Sequence, residues 1–185
     1  SFWIDDRRAQ LDCDALLLSV GFSPAQQLAL QAGARSRFDV SLPAYQEYVR
    51  QWQQAGFKIG VHPSYMSSVT PGVIAAEKAS LEKVAGTVIA SRQHYLRYRT
   101  PDTFRELIAT GIRMDYTLCR TSGPGSPTEV ALPYYWFDLQ RNDATDLRLV
   151  PAVIMDRSLL HLGYTPTAAR ERIIETIELV RGLGG

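Results

Sequence analysis

A chain of 185 residues with 45% hydrophobic content can bury one good core, so a single domain over 1–185 is expected, domains commonly running to roughly 100–200 residues. Lys plus Arg number 20 and Asp plus Glu 19, leaving a net charge of +1 and no field that would draw in nucleic acid or an anionic membrane. Cys13 and Cys119 are far apart and lack a Cys-x-x-Cys spacing, which argues against a disulfide framework or a zinc knuckle and reads as two free thiols in a reducing compartment. No apolar run approaches the roughly 18 residues of a membrane span. The opening SFWIDD lacks the basic start and apolar centre of a signal peptide, so a cytoplasmic location is slightly favoured.

The start of the chain is the least periodic part. SFWIDD places Asp5 and Asp6 after an apolar run, and residues 13 to 36, CDALLLSVGFSPAQQLALQAGARS, read as a helix followed by a strand around LALQAG. From residue 41 a unit recurs: Ser or Thr near a Pro, an amphipathic segment, a Gly, and a short β-rich run. Ser41 and Pro43 open PAYQEYVRQWQQAG, with Tyr45, Val49 and Trp52 at helical spacing and Gly56 as the stop. FKIGV follows as a strand. Thr70 and Pro71 open PGVIAAEKASLEKVAG, with Ile74, Leu81 and Val84 for an inner face, and Gly86 precedes the strand TVIAS. Thr100 and Pro101 open PDTFRELIATG, Thr100 as the cap and Pro101 in the first turn, before Gly111 and the strand IRMDY. CRTSGPGSPTEVA, residues 119 to 131, reads as a loop. LRLVPAVIM reads as another strand, and Thr165 and Pro166 open PTAARERIIETIELVRG.

Alternating strands and helices predict an α/β fold with a parallel sheet, either a barrel or a doubly wound layer. In both, ligands gather at the carboxyl ends of the strands. The residues just past successive strands are His62 with Tyr65, Arg92 with His94 and Tyr95, and Asp115 with Tyr116, three polar clusters expected at one mouth. A carboxylate and imidazoles at such ends can bind a divalent metal, and a second carboxylate can take a proton from water. An Asp-Asp pair is also a common surface turn or helix cap, and a loop histidine often does no more than satisfy backbone groups. His161, in SLLHLGY, lies in an apolar context after a strand and reads as structural. A nucleotide-binding reading lacks a Gly-rich strand-to-helix turn.

GVHPSY, SRQHYLR, TPDTFRELIATGIRMDYTL, LPYYWFDL and the VPAVIMDRSL segment together resemble a divergent bacterial group of polysaccharide deacetylase-like proteins, relatives of the NodB-type carbohydrate esterases. The resemblance covers about residues 37 to 183. It implies a distorted or incomplete (β/α) barrel with mostly parallel strands, and metal-dependent hydrolysis of an N-acetyl or related acyl group on a carbohydrate. In that pattern Asp5 is the catalytic base, and Asp6, His62 and His94 hold a divalent metal, with zinc expected. Tyr65, Arg92, Asp115 and Tyr116 lie on the substrate side. The chain departs from the pattern in four places. Met66 stands where classical members carry a second histidine, so His94 is the candidate replacement. Residues 119 to 131 replace a loop whose arginine would orient the base, the first 36 residues match poorly, and the family's last strand would follow Gly185. The alternative is a catalytically inactive carbohydrate-binding or structural domain. An uncovered sheet edge would also invite self-association.

Overall fold

The computed structural model describes residues 2–4, 7–9, 43–125, 127–128 and 130–184. The chain divides into two compact units, Ser1–Ile59 and Gly60–Gly185. In the first, β1 (Phe2–Ile4) and β2 (Arg7–Ala9) pair antiparallel, Trp3 opposite Arg8. Helix α1 (Pro43–Gln54) falls where the sequence periodicity predicts it. It ends because Gly56 takes φ 87°, a left-handed conformation that costs glycine little. That turn lets the Phe57 N–H reach the Trp52 carbonyl at 3.0 Å and brings the two rings edge to face with centroids 5.0 Å apart. Hydrogen bond and ring contact together close the helix.

The second unit holds α2 (Val73–Ala85), β3 (Ala90–Ser91), α3 (Asp102–Ala109), β4 (Met114–Asp115), β5 (Tyr134–Asp138), β6 (Asp143–Leu149), α4 (Asp156–His161) and α5 (Pro166–Gly182). The sheet order is β3-β4-β6-β5. β3 runs parallel to β4 and β4 parallel to β6, while β5 returns antiparallel to β6. Val61 adds a parallel bridge to Ser91. The architecture is thus α/β with an open, mixed four-stranded sheet among the described residues. Its core is apolar: Ile74, Val88, Leu107, Ile112 and Leu147 have no exposed surface. Phe104 on α3 meets Trp136 on β5 edge to face at 5.3 Å and stacks on Tyr98 at 5.3 Å.

The helix signals act through different chemistry at each site. At α5 the Thr165 hydroxyl accepts from the Ala168 N–H and Pro166 takes the first turn, as the sequence predicts. At α3 Thr100 supplies no cap; the helix starts at Asp102, and Thr103 Oγ1 accepts from the Arg99 N–H at 2.9 Å. At α2 the N-cap is Gly72, whose N–H donates to Glu106 Oε1 of α3 at 2.9 Å.

Three stretches differ from the sequence reading. FKIGV forms no strand, Val61 alone making a bridge to Ser91. LRLVPAVIM does not run on as one strand: β6 stops at Leu149 because Pro151 has no N–H to give the ladder, and Asp156 starts α4. His161 therefore ends a helix and is exposed. LPYYWFDL supplies an unforeseen strand, the first arm of the β5–β6 hairpin. Its turn contains no glycine; Asn142 takes the left-handed position at φ 52°. Asp138 braces that turn, accepting from the Gln140 and Arg141 N–H groups at 3.1 and 3.2 Å. It also meets Arg105 of α3 through two hydrogen bonds, of 2.7 and 2.9 Å. The guanidinium, aided by those N–H donors, holds the Asp138 carboxyl below the usual carboxylate range.

Candidate functional site

Successive strand ends converge as the parallel topology requires. The Val61 N–H donates to the Ala90 carbonyl at 2.9 Å, Arg92 N–H to Val61 at 3.0 Å, and Tyr116 N–H to Ser91 at 2.8 Å. This ladder puts His62, Arg92–His94 and Asp115–Thr117 side by side just past the sheet.

The two histidines meet. His62 Nε2 lies 2.9 Å from His94 Nδ1, with ring centroids 5.0 Å apart at 73°. On its other side His62 Nδ1 sits 2.6 Å from the Arg92 carbonyl oxygen. A carbonyl only accepts, so Nδ1 carries the proton and Nε2 presents its lone pair to His94. Removing solvent from the ring pushes the His62 pKa down; the bond to Arg92 opposes this, and the charges of His94 and Arg92 add to it. The ring keeps an open edge, yet both nitrogens face protein, which is why desolvation dominates. A neutral imidazole is the form that ligates metal, and its second nitrogen bonded to a backbone carbonyl is the usual outer-shell arrangement.

The 2.9 Å separation is that of a hydrogen bond; two zinc–nitrogen bonds of about 2.0–2.1 Å at the tetrahedral angle set their nitrogens about 3.3–3.4 Å apart, so a shared ion requires the rings to part by about half an ångström. Among the described residues no group of three or more His, Cys, Asp or Glu that could hold a metal ion is present. Asp5 and Asp6, the expected base and carboxylate ligand, lie outside the described residues.

Around the pair stands an aromatic rim. Tyr65, half exposed, is edge-on to His94 at 6.4 Å and to Tyr95 at 5.7 Å. The Arg97 guanidinium lies 3.9 Å from the Tyr65 ring centroid, within cation–π range. Tyr95 packs on His94 at 4.7 Å. Both Tyr95 and Leu96 take left-handed φ values, 54° and 55°. Such strain costs about 1–3 kcal/mol per residue and persists only where the surroundings over-determine it.

The remaining candidates occupy different depths. Arg92 is half-buried and donates to the Tyr116 carbonyl at 3.1 Å. Tyr116 is half-buried, and burial pushes its phenol pKa up. Asp115 is fully buried. Desolvation raises its pKa, opposed by bonds from Ser91 and Thr117 and by the charge of Arg92. Sequence reasoning passed over Ser91, Gln93, Arg97 and Thr117. The only signal for Gln93 and Thr117 was their position beside a strand end, since both are buried polar residues in otherwise ordinary segments.

With that geometry in place, comparison with solved structures is informative. A candidate polysaccharide deacetylase from Mycobacterium smegmatis matches over 79% of this chain and 53% of its own, at 20% identity and TM-score 0.53. The fold is deacetylase-like. A second candidate polysaccharide deacetylase, from Bordetella bronchiseptica and described as involved in O-antigen biosynthesis, matches over 76% of this chain and 55% of its own at 17% identity and TM-score 0.47. The chain spans about half the length of each of these proteins. No family model and no curated protein match it.

Proposed function

We propose that this deacetylase-like chain is a metal-dependent hydrolase that removes N-acetyl or related acyl groups from a carbohydrate. The observation that carries the proposal is the meeting of His62 and His94 at successive strand ends, their ring nitrogens 2.9 Å apart, with His62 oriented by the Arg92 backbone carbonyl. His62 and His94 would hold the metal with Asp6, and Asp5 would accept the proton of the attacking water. A divalent ion such as zinc supplies Lewis-acid polarisation of the acyl carbonyl. Tyr65 and Tyr95 offer apolar ring surface with a polar tip on which a sugar ring can rest, and Arg92 and Tyr116 border the same strand ends. A distorted NodB-like barrel is the architecture this reading extends to the full domain.

The test is to load the protein with zinc, measure bound metal by elemental analysis, and follow acetate release from acetylated oligosaccharides. Stoichiometric zinc with acetate release supports the proposal; a protein that takes up no zinc and releases no acetate overturns it. The exposed tyrosines also favour a second reading, a carbohydrate-binding domain without catalysis. Saturable oligosaccharide binding in the absence of zinc uptake identifies that case.

A further inference from the structure

Beneath the histidines lies a hydrogen-bond network without solvent exposure. The Ser91 and Thr117 hydroxyls both donate to Oδ2 of Asp115, at 2.6 and 2.9 Å, and the Thr117 N–H donates to Oδ1 at 3.0 Å. Thr117 Oγ1 in turn accepts from the Gln93 N–H at 2.9 Å. Gln93, fully buried, accepts at Oε1 from the Ser67 hydroxyl at 3.3 Å, tying in the segment that carries Tyr65. His94 follows Gln93 directly. Arg92, whose carbonyl orients His62, precedes it.

A carboxyl with no exposed surface touches no substrate in this arrangement, so its chemistry is directed inward. Burying it is costly unless both oxygens are bonded, and three donors meet that need. Loops past strand ends are otherwise mobile, and here one must also hold the left-handed Tyr95–Leu96 pair.

We infer that Asp115, acting through Thr117 and the main chain of Gln93, is a positioning residue that sets the geometry of the His62–His94 pair. The zinc part of the test rests on the proposed function; the metal-free part does not. Thr117→Val keeps the shape of the side chain and removes the hydroxyl that links Asp115 to Gln93, whereas Thr117→Ser retains it. Long-range proton–nitrogen spectra of the metal-free proteins report which nitrogen of each imidazole is protonated, and competition with a chromophoric chelator gives zinc affinity. Wild type and Thr117→Ser should show His62 protonated at Nδ1 alone. Thr117→Val should show a mixture of tautomers like that of exposed His161, and a zinc affinity lower by about 10- to 100-fold, the scale of outer-shell changes. Restored behaviour in Thr117→Ser separates positioning from a general loss of packing.

A single His62 tautomer and wild-type affinity in Thr117→Val overturn the inference. Should that variant fail to fold, Ser91→Ala decides: a shift in the same direction supports the inference, and an unchanged His62 overturns it. A tautomer shift in a protein whose wild type binds no zinc leaves the positioning role standing and removes the metal reading instead.

Discussion

Gly60 offers a direct way to disturb the site from behind. A Cβ placed there would stand 3.1 Å from the Ala90 carbonyl oxygen, 3.3 Å from the Ala90 Cβ and 3.4 Å from its carbonyl carbon. Carbon contacts are best at about 3.5–4.0 Å, so Gly60→Ala must spread the chains by a few tenths of an ångström where Val61 N–H donates to that same oxygen at 2.9 Å. Inserted methyl groups in tight sites cost about 1–3 kcal/mol. Alanine recovers about 0.4–1 kcal/mol by restricting the unfolded chain, which leaves a net loss of about 1 kcal/mol. With a urea slope of about 2 kcal/mol/M, the midpoint should fall by about 0.5 M.

Gly111→Ala is the control. Nothing lies within 4 Å of a Cβ there, but φ is +82°, so the loss of about 1–2 kcal/mol is conformational alone and leaves the Val61–Ser91 bridge in place. Both variants should melt earlier, and only Gly60→Ala should weaken zinc binding, because His62 follows Val61. An unchanged midpoint and affinity in Gly60→Ala would refute the steric argument. An equal loss of affinity in Gly111→Ala would refute the link from bridge to histidine.

His62→Ala should abolish most zinc uptake by elemental analysis while costing only about 1–2 kcal/mol in a urea melt, the scale of its bonds to Arg92 and His94. Leu107→Ala, at a side chain with no exposure, should cost about 2–5 kcal/mol; a loss below about 1 kcal/mol would mean that α3 does not anchor the core. Because burial holds His62 below the ordinary imidazole value of 6.5, the unfolded chain binds that proton first as pH falls. Its contribution is therefore present at higher pH and is lost as pH drops from 6.5 toward the lower folded value. Urea midpoints against pH should diverge between wild type and His62→Gln across that window, and parallel curves would contradict the assignment.

Helices α1 and α5 were legible because they carry their own instructions: Thr165 and Pro166 open α5, and the apolar spacing of Val49 and Trp52 marks α1. The strand ends were legible too, since apolar runs stop at His62, Arg92 and Asp115, and parallel strands deliver such stops to one side. The β5–β6 hairpin was hidden because Asn142, rather than glycine, makes its turn. α4 was hidden by the apolar run of VPAVIM ahead of it. The depth of Asp115 was beyond sequence patterning: a carboxyl after a strand looks like a substrate contact whether it faces solvent or the core, and only the three converging donors tell them apart.

The bond that orients His62 ends on the main-chain oxygen of Arg92 rather than on a side chain. Every amino acid carries that oxygen, so the histidine's tautomer does not depend on which residue occupies position 92. Evolution, or an engineer, can vary that side chain to suit a different substrate without moving the proton between the ring nitrogens, though losing the arginine's charge relieves part of the downward pull on the imidazole pKa. What position 92 must preserve is the path of the peptide plane that carries this oxygen, whose N–H, that of Gln93, donates to Thr117 Oγ1 at 2.9 Å. Orientation and selectivity can thus be altered separately at a single residue.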